Sequence, residues 1–93
     1  MMTYMRVKWK HSLPTEPVLL YSELDGARWE LRKIEVFADG RRDFATASEA
    51  TGGTRLSKEP LPTLDEIARD PQFEPTEITR AEFEEVWANR GTS

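Results

Sequence analysis

The sequence predicts an α+β fold: an antiparallel, four- or five-stranded meander sheet with two C-terminal helices, the last packed on one sheet face. Two observations lead to this prediction. Strand-like segments fill the first half of the chain and are joined at Asp25-Gly26 and Asp39-Gly40. Two helix-start signals follow in the second half, at Thr63 and Thr79. Strands followed by helices, rather than alternating with them, are typical of the α+β class.

The first strand is predicted at Tyr4–Lys10, where apolar and polar side chains alternate. Met5, Val7 and Trp9 fall on one face, which we expect to be buried, and the other face is expected to be wet. His11–Pro17 then forms a loop, because its prolines cannot donate hydrogen bonds to a strand ladder.

Three further strands are predicted at Val18–Glu23, Arg28–Ala38 and Arg42–Ala45. Asp39-Gly40 lies between two strand-like runs and is a strong hairpin signal, because both turn positions are expected to have positive φ. Asp25-Gly26 is predicted to make the preceding turn. Consecutive strands joined in this way form a meander.

The apolar pattern of the third strand changes face part-way along. Trp29 and Leu31 fall on one face, whereas Ile34 and Val36 fall on the other. Either both faces of the sheet are covered, or a β-bulge near Arg32-Lys33 resets the register. We favour the bulge, because one inserted residue would place all four apolar side chains on a single core face.

The first helix is short. The segment from residue 50 to 62 contains Gly52-Gly53 and two prolines, so it is predicted to be loop and connector. Thr63 and Glu66 then match a capping box, in which each side chain satisfies a free backbone N–H group of the helix start. Asp70-Pro71 ends this helix after two turns.

The last helix is predicted to start at Thr79, where Glu82 completes a second capping box. Phe83, Val86 and Trp87 follow at helical spacing and form a narrow apolar stripe. We expect this stripe to dock on the sheet. Its expected partners in the core are Val7, Trp9 and Ile34.

Length and composition indicate a single globular domain, residues 1–93, that buries a little over ~60% of the surface its unfolded chain exposes. The three tryptophans, Trp9, Trp29 and Trp87, are expected in the core rather than as binding anchors. The chain has no cysteine, which excludes disulfides and cysteine zinc sites and is compatible with a reducing compartment. Without an apolar leader or anchor segment, a cytoplasmic protein with no membrane association is expected.

Charge is distributed unevenly. Residues 1–46 carry eight Lys/Arg and seven Asp/Glu, whereas residues 47–93 carry five Lys/Arg and ten Asp/Glu. An acidic chain lacks the overall basic footprint of a protein that binds phosphate backbones. A local basic strip in the first half stays possible.

No catalytic or metal-binding set is predicted. His11 is the only histidine, so the usual zinc sets and nucleophilic triads would rest on one residue. Glu82, Glu84 and Glu85 are interpreted as a solvated helix face, since nothing in the sequence separates their pKa values as an acid/base pair needs. We therefore expect no enzymatic activity, no metal and no cofactor.

Two segments could serve binding. In Thr51–Arg55, adjacent glycines could present backbone N–H groups to an anion, although the ending of a phosphate loop is missing. Tyr4, Arg6, Lys8 and Lys10 form a basic and aromatic strip on which nucleic-acid bases could stack. The alternatives are a plain turn and a charged edge strand that resists aggregation.

Four segments together resemble a family of short, stand-alone bacterial proteins of unknown function. They are Val7–His11, Glu16–Leu24, Thr51–Leu56 and Ile78–Trp87. The likeness extends over nearly the whole chain. Because the family has no known activity, the resemblance implies a bacterial stand-alone domain and transfers no catalytic or binding residue.

The leading interpretation is a non-enzymatic protein-interaction domain, such as an immunity or antitoxin-type inhibitor, whose partner is another, basic protein. The expected binding surface is the polar sheet face opposite the last helix or the loops that adjoin it, with Tyr21, Arg28, Arg32 and Arg55 as anchors. A nucleic-acid-binding module using the basic strip and a small-ligand or anion sensor at Gly52-Gly53 are the alternatives. The sequence makes no prediction of the oligomeric state.

Overall fold

The structure, a computed structural model, describes residues 1–90 and confirms the α+β prediction. Five strands form one open antiparallel sheet in the order β4-β3-β2-β1-β5. The elements are β1 (Thr3–Trp9), β2 (Pro17–Leu24), β3 (Glu30–Phe37), β4 (Arg42–Ala45), α1 (Leu64–Ala68), β5 (Phe73–Ile78) and α2 (Arg80–Ala88). The first four strands form the predicted meander, and β5 returns beside β1 at the far edge.

The β3–β4 hairpin forms at Asp39-Gly40 as predicted, but with a different turn. The Phe37 N–H donates to the Arg41 carbonyl at 2.9 Å, and the Phe37 carbonyl accepts from the Gly40 N–H at 2.9 Å. Gly40 has a φ of 89°, whereas Asp39 is not in the positive region. The expectation of two positive φ values is therefore wrong. The loop has three residues, and only the last of them needs glycine.

The β2–β3 hairpin has the same hydrogen-bond pattern with a different residue at the strained position. The Asp25 backbone carbonyl accepts from the Arg28 N–H at 2.9 Å, and the Asp25 backbone N–H donates to the Trp29 carbonyl at 3.0 Å. Arg28 has a φ of 68°, so it occupies the conformation that Gly40 takes in the other hairpin. A side chain in this left-handed region costs roughly 1–2 kcal/mol. Gly26 does not have a positive φ.

Both predicted helix starts are confirmed by complete capping boxes. The Thr63 hydroxyl accepts from the Glu66 N–H at 3.3 Å, and the Thr79 hydroxyl accepts from the Glu82 N–H at 3.1 Å. In return, each glutamate carboxylate accepts from the threonine N–H. These bonds lower the pKa of both glutamates, because they favour the charged carboxylate.

The last helix packs on the face of the sheet that carries Tyr4, here called the helix face. Its buried core holds Tyr4, Ile34, Ile78 and Phe83. Val86 and Trp87 pack around this core, which confirms the predicted apolar stripe. The expected partners Val7 and Trp9 do not lie there. The reason is the pairing of β5 with β1, which places Ile78 beside Tyr4. Because α2 begins only two residues after Ile78, it packs on the Tyr4 face, which was expected to be wet.

The opposite face is also covered, by the segment from residue 61 to 73, here called the strap. Met5, Val7 and Leu24 are buried on this strap face. The strap side chains that pack against them are Leu61, Leu64, Ile67 and Phe73. Coverage of both faces explains why apolar residues occur at both parities of the strands.

The predicted β-bulge is confirmed, one residue before its expected place. Glu23 pairs with Arg32 whereas Leu24 pairs with Glu30, which leaves Leu31 as the inserted residue. The bulge does not bring all four apolar residues to one core, because Trp29 remains 44% exposed. Thus the two explanations of the changed parity, a bulge and two covered faces, both apply.

Candidate functional site

The structure separates the four predicted anchors. Tyr21 and Arg32 lie on the helix face, Arg28 reaches the strap, and Arg55 lies in the loop that follows Gly52-Gly53. Tyr21 and Arg32 therefore do not lie on the face opposite the last helix, where they were expected. The reason is that α2 docks on the very face to which β2 and β3 direct Tyr21 and Arg32.

Arg32 is engaged within the chain. Its guanidinium donates to both oxygens of Glu23, at 2.7 and 2.9 Å, and to both oxygens of Glu84, at 3.1 and 2.9 Å. It also lies 4.8 Å from the ring centres of Phe83 and Trp87. Hydrogen bonding to Glu23 raises the pKa of Arg32, and Arg32 lowers the pKa of both carboxyl groups. Arg32 fastens α2 to the sheet.

Arg28 fastens the strap. Its Nε donates to the Leu61 carbonyl at 3.0 Å and its Nη2 to the Pro62 carbonyl at 2.7 Å. The Leu61 N–H donates in return to the Arg28 carbonyl at 2.9 Å. The strained φ of Arg28 therefore coincides with a clamp between the β2–β3 hairpin and the strap. Arg55, by contrast, is exposed and donates only to backbone carbonyls of its own loop among residues 1–90.

The glycine loop packs against a carboxylate of the chain itself. A side chain at Gly52 would bring its Cβ to 2.5 Å from Asp43 Oδ2. Asp43 is buried and accepts a hydrogen bond from the Thr51 hydroxyl at 3.1 Å. A carboxylate in this place repels other anions, so the geometry gives no support to the anion-sensor hypothesis.

A pocket lies between the sheet and the strap. Its volume is about 380 Å³, within the range of roughly 300–1,000 Å³ that is typical of ligand sites. Its apolar walls come from β1, β2 and the strap, and include Met5, Val7, Leu20, Leu61, Ile67 and Phe73. Concave apolar surface with a few polar groups is the usual form of a binding site.

Glu30 contacts the polar groups in and beside this pocket, which are Ser22, Lys33 and the Ser57 N–H. The Glu30 side chain itself is fully buried. Glu30 Oε2 accepts from the Ser22 hydroxyl at 2.7 Å, and Oε1 accepts from the Ser57 N–H at 2.7 Å. Lys33 Nζ lies 3.4 Å from Oε1 and donates to the Arg55 carbonyl at 3.0 Å. The buried carboxylate is thus paired and hydrogen-bonded, as a buried charge requires.

The rim of the pocket is acidic. Glu66 and Asp70 line it from the strap. Residues 58–70 carry four Asp/Glu and two Lys/Arg. Because capping by Thr63 lowers the pKa of Glu66, this carboxyl group is ionised at neutral pH. A cationic group would therefore be favoured at the pocket mouth.

His11 has a structural role in the loop between β1 and β2. Its Nδ1 accepts from the Leu13 N–H at 2.9 Å, so Nε2 donates to the Pro17 carbonyl at 2.7 Å. The ring packs edge-on against Trp9, with 4.4 Å between centroids. These contacts order the β1–β2 loop. Among residues 1–90, no group of three His, Asp or Glu side chains is placed to hold a metal, and no helix is long and apolar enough to span a membrane.

Comparison with known proteins identifies a family. The family model for a domain of unknown function, DUF6881, matches residues 3–92. The chain belongs to this family. Neither the curated proteins nor the solved structures give a significant match. Membership in DUF6881 thus agrees with the resemblance inferred from the sequence, and the pocket must be interpreted from its own geometry.

Sequence reasoning missed the residues of this pocket. Leu20, Leu61 and Ile67 are far apart in the chain and come together only through the path of the strap. One signal was available: Glu30 and Lys33 are charged residues inside a predicted strand, where a buried polar group indicates either a bulge or a site.

Proposed function

We propose that this DUF6881 domain is a non-enzymatic protein-interaction module that holds an apolar side chain of a basic partner in the pocket under the strap. The observation that carries the proposal is the combination of an open apolar pocket with an acidic rim. Interface anchors are typically large side chains seated in such pockets. No residue of the pocket is assigned a catalytic role.

The walls provide the affinity. Burying one large apolar side chain of the partner contributes roughly 1.5–3 kcal/mol to binding. The walls it would contact include Leu20, Ile67 and Phe73, which are themselves partly buried in the domain. Lys33, which also lines the pocket, adds a hydrogen-bonding group, because its ammonium has three donors and two contacts within residues 1–90. A tyrosine fits both features, since its ring is apolar and its hydroxyl can accept from Lys33.

The negative charge of the domain determines which kind of partner it selects. Glu66 and Asp70 lie at the mouth of the pocket, and the chain as a whole has a net charge of −4. Such a surface attracts a basic partner and raises its association rate, in a manner that salt weakens. This is the charge relation expected between an acidic inhibitor of the immunity or antitoxin type and a basic target.

We also propose a bacterial cytoplasmic setting. The resemblance to short bacterial proteins and the absence of cysteine support it.

The experiment uses a lysine-flanked peptide with one central tyrosine as the probe, labelled for fluorescence anisotropy. Control peptides carry serine for the tyrosine, or glutamate for the lysines. The proposal expects saturable binding of the first peptide and binding at least about tenfold weaker for both controls. Equal binding of all three peptides, or none of the first, would overturn it.

A pair of protein variants locates the binding. Ile67→Arg places a charged side chain in the pocket, whereas Ala68→Arg places the same side chain on the exposed surface of the same helix. We expect loss of peptide binding in the first variant only. Circular dichroism confirms that both variants are folded. Equal binding by both folded variants would exclude the pocket as the site.

A further inference from the structure

The strap is fastened to the sheet at both of its ends. At the first end, the Arg28 guanidinium donates to two successive backbone carbonyls of the strap. At the second end, the Lys10 N–H donates to the Gln72 carbonyl at 2.7 Å, and the Trp9 indole N–H donates to the Gln72 side chain at 3.1 Å. The chain then enters β5, which pairs with β1. Neither end can leave the sheet without breaking these bonds.

The segment between these ends, residues 63–70, is here called the lid. Within residues 1–90, its hydrogen bonds all stay inside the strap, and none of the ion pairs involves a lid residue. The lid side chains that pack on the core of the strap face are Leu64 and Ile67, and both remain half-buried. The lid therefore rests on the sheet through apolar contacts, without a polar attachment of its own.

The pocket of about 380 Å³ lies beneath the lid. Ile67 forms part of its wall, so this side chain faces unfilled space on the pocket side and loses the contacts that a packed neighbour would give. None of the five residues of α1 is buried, and a helix of this length is not stable by itself. Displacing the lid thus breaks few contacts, as in a segment that opens locally while the rest of the domain stays folded.

The last helix starts with the same capping box but is attached differently. Phe83 is fully buried, and Arg32 binds Glu84 through two hydrogen bonds. Arg42 donates to the Asn89 carbonyl at the other end of α2, at 3.3 Å. Two helices with the same start signal therefore differ in their support. α2 belongs to the core, whereas α1 lies on top of one.

We propose that the lid opens and closes over the pocket while both ends of the strap stay fastened, and that this movement controls the entry and release of the bound side chain. The identity of that side chain rests on the proposed function. Glu66 and Asp70 belong to the lid and line the pocket, so closure brings their carboxylates to the basic residues of the partner. Charge on the partner thus favours the closed lid.

Hydrogen exchange of two matched amides tests whether the lid opens alone. The Ile67 N–H donates to the Thr63 carbonyl at 3.0 Å, and the Phe83 N–H donates to the Thr79 carbonyl at 3.1 Å, so each amide has the same position after its capping threonine. The Ile67 amide should be at least about a hundredfold less protected than the Phe83 amide.

Alanine at each cap then separates local from global opening. Thr63→Ala should speed exchange at Ile67 about fivefold, because it weakens the closed lid by one helix cap. Thr79→Ala should speed exchange at Phe83 and leave Ile67 unchanged, because α2 stays in place when the lid opens. If Thr79→Ala speeds exchange equally at both amides, the lid opens only when the whole domain unfolds, and the proposal is overturned.

A thiol beneath the lid tests whether this opening reaches the pocket. The chain has no cysteine, so Val7→Cys introduces a single thiol on the pocket wall, at a position that is only 7% exposed. A bulky disulfide reagent should modify it about fivefold faster when Thr63→Ala is added. Adding Thr79→Ala instead is the control and should leave the rate unchanged. A rate that Thr63→Ala does not change would show entry through a rigid mouth and would exclude the lid.

The lysine-flanked tyrosine peptide tests the control of release. Peptide at about one hundred times its Kd should slow exchange at Ile67 about a hundredfold, because the open lid cannot hold the side chain. Peptide that binds without slowing this exchange overturns the proposal. If the peptide does not bind but the exchange and thiol results are as expected, the proposed function fails and the lid is supported, since neither of those results needs the peptide.

Discussion

Arg32 and Glu84 join the last helix to the sheet through two parallel hydrogen bonds, from Nη1 at 3.1 Å and from Nη2 at 2.9 Å. The same guanidinium holds Glu23, whose side chain is only 10% exposed. One side chain therefore connects β2, β3 and α2. Arg32 was predicted as a surface anchor, and the structure assigns it to the support of the fold.

Replacing this arginine should strongly destabilise the domain. Arg32→Met leaves the buried Glu23 carboxylate unpaired and removes the contact with α2, so we expect a loss of about 2–4 kcal/mol in the free energy of unfolding. Arg80→Met is the control, because Arg80 is 78% exposed and lies 3.8 Å from Glu84. Its effect should be below ~0.5 kcal/mol. Urea denaturation measures both, and similar losses in the two variants would contradict this account.

The same ion pairs should determine the acid stability. Hydrogen bonding to Arg32 lowers the pKa of Glu23 and of Glu84 below the ordinary value. A carboxyl group with a lowered pKa stabilises the fold above its unfolded pKa of about 4.3, and this stability is lost as pH falls through the folded pKa. We expect the melting temperature to fall steeply below that pH in the native chain. In Arg32→Met the melting temperature should depend less steeply on pH in this range, and an unchanged dependence would count against this assignment.

The two glycines of the loop after β4 should respond differently to alanine. Gly52 has a φ of 55° and its Cβ position is filled by the Asp43 carboxylate, whereas a Cβ at Gly53 meets nothing within 4 Å. Gly52→Ala should therefore cost about 1–3 kcal/mol, from backbone strain and displacement of a buried carboxylate. Gly53→Ala should change stability by less than ~1 kcal/mol. Thermal denaturation compares them, and equal effects would show that Asp43 does not occupy this space.

Arg28 should control the attachment of the strap. Arg28→Ala and Arg28→Gly both remove the guanidinium that binds the carbonyls of Leu61 and Pro62. Both should speed hydrogen exchange at the Leu61 N–H, because the strap opens more often. The glycine variant should be more stable than the alanine variant by roughly 1 kcal/mol, since glycine relieves the positive φ. Slow exchange at Leu61 in both variants would show that the clamp does not hold the strap.

Local features of the fold could be predicted from the sequence because they depend on neighbouring residues. Both capping boxes, the Asp39-Gly40 hairpin and the bulge in β3 are set by spacings of a few positions. The fifth strand was not located, since Pro75 is unusual in a strand. The Lys10 N–H donates to the Gln72 carbonyl, so the antiparallel alternation turns Pro75 away from β1, where its missing N–H is tolerated at the sheet edge.

The candidate site could not be predicted in the same way. Which face receives α2 depends on the pairing of β5 with β1, a contact between the two ends of the chain. The pocket depends on the path of the strap, which Arg28 holds by its backbone carbonyls rather than by any recognisable side-chain pattern. The sequence therefore indicated Arg28 only by its residue type, as an interface anchor, and did not indicate its role in holding the strap.

The most direct test of the central claim is a nuclear magnetic resonance titration of the isotope-labelled domain with the lysine-flanked tyrosine peptide. If the pocket under the strap is the binding site, the methyl signals of Leu20, Leu61 and Ile67 should shift together and saturate. Methyl signals on the helix face, such as those of Ile34 and Val36, should stay in place. Shifts confined to the helix face, or none at saturating peptide, would contradict the account.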